Sequence, residues 1–175
     1  MTTRTNYKSI LDLTEIYVGW ALRSQVLEET DLDYGGFRCP EKLVCEPWAA
    51  ANILSTLTQL YINLDSQYYC REDVLDRMEL AIKFLLRSQD QDGTVRGFFC
   101  EPEISLPSTA VSMLSLLRSY KWLVRDLTVN GGVSDRVKDF LDKAVDGIQN
   151  EPVFVNYHQF IIAEALLEYD RLFDN

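Results

Sequence analysis

Apolar side chains at Ile10, Leu13, Ile16, Tyr17, Trp20, Ala21 and Val26 recur at three- and four-residue intervals, the spacing of an amphipathic helix. That pattern predicts a first helix from about Tyr7 to Glu28. It ends in a turn-rich stretch, Asp33-Tyr34-Gly35-Gly36-Phe37-Arg38-Cys39-Pro40, where paired glycines allow unusual dihedrals and Pro40 disfavours helix at Cys39. Pro47 suits a first helical turn, and Trp48 to about Leu64 is apolar on nearly every side, which predicts a mostly buried helix. From Arg71 to Ser88, charges at Glu72, Asp73, Asp76, Arg77, Glu79 and Lys83 oppose Val74, Leu75, Met78, Ile82, Leu85 and Leu86. A surface helix fits that division.

The alternation then recurs. Ser88-Gln89-Asp90-Gln91-Asp92-Gly93-Thr94 stops the surface helix, and a second apolar helix is expected from Ser108, as N-cap, to about Val124. After Asn130-Gly131-Gly132, Ser134 is placed to cap a charged helix to about Gly147, with Val137, Phe140, Leu141, Ala144 and Ile148 as its core face. A last apolar helix runs from about His158 to Phe173. Mostly buried helices thus alternate with helices bearing one charged face, in units of roughly 50–60 residues. The expected architecture is all-α, a single domain spanning 1–175 whose antiparallel helical hairpins form a partial or small α/α toroid.

Composition agrees with a packed core: 47% of the 175 residues are aliphatic or aromatic, with 8 Gly and 5 Pro, a globular rather than disordered balance. The 17 basic and 27 acidic residues give a net charge of −10, which repels phosphate backbones and anionic lipid. Nucleic acid and membrane are therefore not expected partners. No apolar run approaches the roughly 20 residues that span a bilayer, and Met1 to Lys8 is polar, so the sequence reads as cytoplasmic. In that compartment Cys39, Cys45, Cys70 and Cys100 are expected as thiols.

Three segments resemble the toroid domain of heparinase II/III-like polysaccharide lyases. Gly35-Gly36-Phe37-Arg38-Cys39-Pro40 is similar to a Gly-Gly-x-x-Cys-Pro segment before an inner helix of that family. Leu85 to Val95 looks like the family's repeat ending in Gln-x-x-Asp-Gly-Thr, and Asn156-Tyr157-His158-Gln159-Phe160 resembles an Asn-His-Arg-Trp-type segment opening a later inner helix. The matches run in order from about Tyr34 to Phe173. The Gln-Asp-Gly turn also ends helices in terpene cyclases and prenyltransferase β subunits. The sequence departs from the lyases at Phe98-Phe99-Cys100-Glu101-Pro102-Glu103, an acidic loop without histidine, and at Cys45-Glu46-Pro47, where a His-Gly-Arg-like element is missing. The resemblance implies a carbohydrate-binding or glycan-processing domain, incomplete for catalysis alone, with an oligosaccharide ligand, no cofactor, and either a homo-oligomer or a missing C-terminal portion of the toroid.

His158 is the sole histidine and the one side chain that exchanges protons readily near neutrality. In the lyase reading His158 removes a proton, Asn156 orients a uronate carboxylate and Tyr157 serves as acid; in the plainer one Asn156 caps the last helix and His158 lies in its first turn. Tyr34, Phe37, Trp48 and Glu101 are the candidate substrate-binding residues, the aromatics by stacking on sugar rings or else by covering the core. Zinc at Cys39, Cys45, Cys100 and His158 has poor spacing, and paired carboxylates among Glu46, Glu101 and Glu103 compete with ordinary solvated acids. Phosphate loops, nucleophile elbows and His-Glu-x-x-His helices are absent from the sequence. The alternatives are a non-enzymatic helical-repeat interaction domain, which would expose an apolar strip, and a terpenoid- or prenyl-binding toroid, which would hold a deep dry cavity.

Overall fold

A computed structural model describes residues 2–41, 43–95, 105–125, 132–150 and 158–173, with side chains from residue 6 onward. Six helices account for the regular structure there: α1 (Thr2–Ser24), α2 (Pro47–Tyr61), α3 (Glu72–Arg87), α4 (Ser105–Leu123), α5 (Gly132–Asn150) and α6 (Gln159–Phe173). They form two rows. Helices α2, α4 and α6 pack side by side as an inner row, α3 and α5 lie against α2 and α4 respectively and against each other, and α1 packs on α2.

Directions follow from the cross-contacts. Along α1, Tyr7 meets Asn63, Glu15 meets Ser66 and Gln67, and Gln25 reaches Arg77, so α1 runs antiparallel to α2 and parallel to α3. Arg136 near the start of α5 pairs with Glu79 of α3, while Gly147 near its end lies against Asp92 and Thr94 beyond α3. The outer helices α1, α3 and α5 therefore run one way. The inner helices, each reached by a reversal of the chain, run the other, and their first turns share one rim.

The core lies between the rows, with Leu54, Leu57, Met78, Ile82, Leu85, Met113, Leu116, Leu117, Phe140 and Leu141 fully buried. Of the expected core face of α3, Val74, Met78, Ile82 and Leu85 are buried while Leu75 and Leu86 pack partly buried against the core; that of α5, Val137, Phe140, Leu141, Ala144 and Ile148, is the observed one. Between α2 and α4 the packing is of small and hydroxylated residues. Ser108, Ser112, Ser115 and Ser119 are buried in α4; the hydroxyls of Ser112 and Ser119 donate to carbonyls one turn back, and the single hydroxyl proton of Ser115 is shared between the Val111 carbonyl at 3.1 Å and Asn52 Oδ1 at 2.8 Å. Such back-bonding lets a hydroxyl enter a helix interface without an orphaned polar group.

Two expectations change. Ser108 lies inside α4 and Ser134 inside α5 instead of capping them. Most of the stripe from which the first helix was read is not its core face: of those residues Ala21 and Val26 are buried, but Ile10, Leu13, Ile16, Tyr17 and Trp20 face outward, and Leu11 and Val18 supply the rest of the buried side. Both sets have helical spacing, and α2 takes up only one.

Candidate functional site

At the rim, one device occurs twice. Gln25 Nε2 donates to the Gly35 and Arg77 carbonyls, both at 3.0 Å; Gln89 Nε2 donates to the Gly93 and Phe140 carbonyls, again at 3.0 Å. Each glutamine follows an outer helix, closes its own loop and grips the next outer helix. Both glycines have positive φ, +88° and +89°, and a Cβ would fall 2.2 Å from Leu80 O in one case and 1.9 Å from Lys143 O in the other. Only glycine fits such a dihedral at such a distance. The sequence carries a signal for this repeat in Arg23-Ser24-Gln25 and Arg87-Ser88-Gln89.

The repeat explains the position of Phe37. Two residues beyond its glycine, Phe37 bridges to Gln25 as Val95 does to Gln89, and it is only 5% exposed. Its ring is core, not a free stacking platform. Tyr34 is partly exposed; its carbonyl accepts a hydrogen bond from Arg87, whose guanidinium also lies 5.9 Å from the Tyr34 ring centre. Trp48, in the first turn of α2, is partly exposed and its carbonyl accepts from Asn52 Nδ2 at 3.0 Å. His158, partly exposed, immediately precedes α6 and its carbonyl accepts the Ile162 N–H at 3.1 Å. Asn156, Tyr157, Glu101, Glu103, Phe98, Phe99 and Cys100 lie outside the described residues.

The Cys39–Cys45 turn offers little reactive chemistry. Cys39 and Cys45 are free thiols, and burial, aided by Asp33, pushes the Cys45 thiol up to about 12. A thiol held neutral is a poor nucleophile and a poor metal ligand. Among the described residues no group of three or more His, Cys, Asp or Glu side chains is placed to hold a metal ion. Nearby, Asp31 accepts from Arg38 at 2.8 Å and from the Asp33 N–H at 2.9 Å. The Asp33 amide and then Arg38 hold its carboxyl below the usual range.

The most distinctive surface is on α1. Ile10, Leu13, Ile16, Tyr17 and Trp20 form a stripe on the side facing away from α2, with Leu13 67% and Ile16 69% exposed. The outer faces of α3 and α5 carry Asp76, Lys83, Asp139 and Lys143 in the corresponding role. Beside the stripe, Asp12, Glu15, Ile16, Gly19, Arg23, Gln67 and Tyr68 line an open cleft of about 420 Å³. Glu15 anchors its floor, accepting from Ser66 Oγ, the Gln67 N–H and Gln67 Nε2 at 2.8–3.0 Å. The sequence signal for this face was the surplus of apolar residues: Leu11, Val18 and Leu22 supply a second apolar side beyond the first, and a helix apolar on two sides requires two partners.

These features define a protein of stacked helical hairpins joined by a repeated glutamine–glycine latch. Compared with known proteins, the chain matches no family model, no curated protein and no solved structure, so none of these comparisons identifies a heparinase-like relationship. Among the described residues, no helix is long and apolar enough to cross a membrane.

Proposed function

We propose that this protein is a helical-repeat interaction module that docks a protein partner on the outer face of α1. One observation carries the reading: a continuous stripe of five large apolar side chains, two of them aromatic, stands on a helix whose opposite side is already packed. Contiguous apolar surface of that extent marks association sites on soluble proteins, and aromatic anchors dominate the energetics of such sites. The test is a photo-crosslinking residue in place of Leu13, with one in place of exposed Asp76 on α3 as the control, in the cells that make the protein. A discrete protein adduct from position 13 and none from position 76 is the expected result; no adduct from position 13 removes the reading.

Glycan binding at the rim is a second reading, supported by the toroid resemblance together with the partial exposure of Tyr34, Trp48 and His158 near the starts of inner helices. Titration with neutral and acidic oligosaccharides tests it. Saturable binding that Trp48→Ala and His158→Ala abolish is the expected result, and a flat titration ends it.

A further inference from the structure

We infer that the partner of α1 is a second copy of the same chain, docked antiparallel through Leu13, Ile16, Tyr17 and Trp20. The inference rests on the reading of α1 as a docking face and adds who occupies it. Three observations point to a second copy.

The first is symmetry. A two-fold interface must be self-complementary, each residue meeting a counterpart that meets it in return. The four positions form a palindrome: an antiparallel pairing that sets Leu13 against Trp20 sets Ile16 against Tyr17 as well. Large side chains then meet smaller ones in both directions. In this register Arg23 of one copy falls within two residues of Asp12 of the other, on the same flank of the paired helices, so the edge of the stripe gains opposite charges.

The second is charge. Two chains of net charge −10 repel, and the face on which they meet at least cost is the least acidic one. Helix α1 holds three of the 17 basic residues but only two of the 27 acidic ones. It is the one outer helix without an acidic excess, since α3 and α5 each carry four acidic and three basic residues.

The third is size. A stable interface buries roughly 800 Å² per partner, and a buried aromatic side chain supplies about 150–250 Å². Ile10, Leu13, Ile16, Tyr17 and Trp20, each between 44% and 69% exposed, offer area approaching that on one helix. Their coverage leaves the rest of the fold untouched, because α1 contacts its own domain through Leu11, Val18, Ala21 and Glu15.

Sedimentation equilibrium of the full chain tests the proposal. The wild type is expected to reach twice its 20.2 kDa within the micromolar range, more readily at higher salt, where the mutual repulsion is screened. Leu13→Glu combined with Ile16→Glu is expected to raise the dissociation constant at least about tenfold while leaving the thermal midpoint of the monomer in place, as exposed substitutions do. Asp12→Arg alone is expected to weaken the dimer and Asp12→Arg with Arg23→Asp to restore it. A wild type that stays monomeric overturns the second copy; if position 13 still crosslinks to a different protein, the docking reading survives that failure. A dimer indifferent to the Leu13/Ile16 substitutions overturns the role of α1. A dimer that those substitutions abolish but the charge exchange does not restore overturns the antiparallel register. A monomer that sediments with phosphatidylcholine vesicles overturns the second copy and the protein partner together, making the stripe a membrane-contact face.

Discussion

Cys45 shows how one side chain's surroundings set its chemistry. Its thiol is packed against Gly36, where a Cβ would fall 2.8 Å from Cys45 Cβ, and burial with Asp33 nearby favours the neutral form up to about 12. Alkylation of the native protein near pH 8 is therefore expected to mark Cys70, which is exposed, and to spare Cys45; peptide mapping by mass spectrometry reads the difference, and equal labelling refutes it. The same group links stability to pH. Its native pKa exceeds that of an unfolded thiol, so its contribution is complete below roughly pH 8.5 and declines as the pH rises toward 12. Cys45→Ala is expected to lose less stability than the wild type between pH 8 and 10, as followed by urea unfolding.

At the scale of the element, the latch residues matter more than their number suggests. Gly93→Ala forces a positive φ on alanine and drives its Cβ toward the Lys143 carbonyl, a change expected to cost about 2–3 kcal/mol. Gln89→Ala removes two hydrogen bonds at once and is expected to cost about 2 kcal/mol. At a few degrees per kcal/mol for a chain of this length, either should lower the melting midpoint by roughly 5–10 °C in calorimetry; a shift within error of zero contradicts the latch. Helix existence was legible in the sequence because hydrophobic period is a local property, and the charged faces of α3 and α5 left a single choice of core side. On α1 the choice was not local. Ile10, Leu13 and Tyr17 on one side and Leu11, Val18 and Ala21 on the other satisfy the same spacing, and only packing against α2 decides between them. Phe37 posed the same difficulty, since an aromatic after paired glycines reads as a rim residue until its bridge to Gln25 is seen.

For the whole molecule, acid is the expected route to unfolding. Asp31, Asp73 and Glu168 sit below their ordinary values, held there respectively by the Asp33 amide with Arg38, by Arg71, and by Lys121 with Arg171. A depressed carboxyl stabilises the native state above its unfolded pKa, near 4, and that contribution fades as pH falls through the lower native value. Thermal midpoints are thus expected to stay level from pH 7 to about 5 and to drop below pH 4, with a smaller drop in Arg38→Ala, where Asp31 has lost one cause of its shift. Flat behaviour down to pH 2 contradicts this linkage. The paired latches bear on something else: how the gene can change length. Nine residues separate Gln25 from Gly35 but only three separate Gln89 from Gly93, yet both loops return their glycine to the same place against the next outer helix. Loop length and repeat spacing are uncoupled, so the stretch from Val26 to Tyr34 is a slot where residues can be gained or lost while its ends stay fixed, a natural position for grafting a foreign peptide.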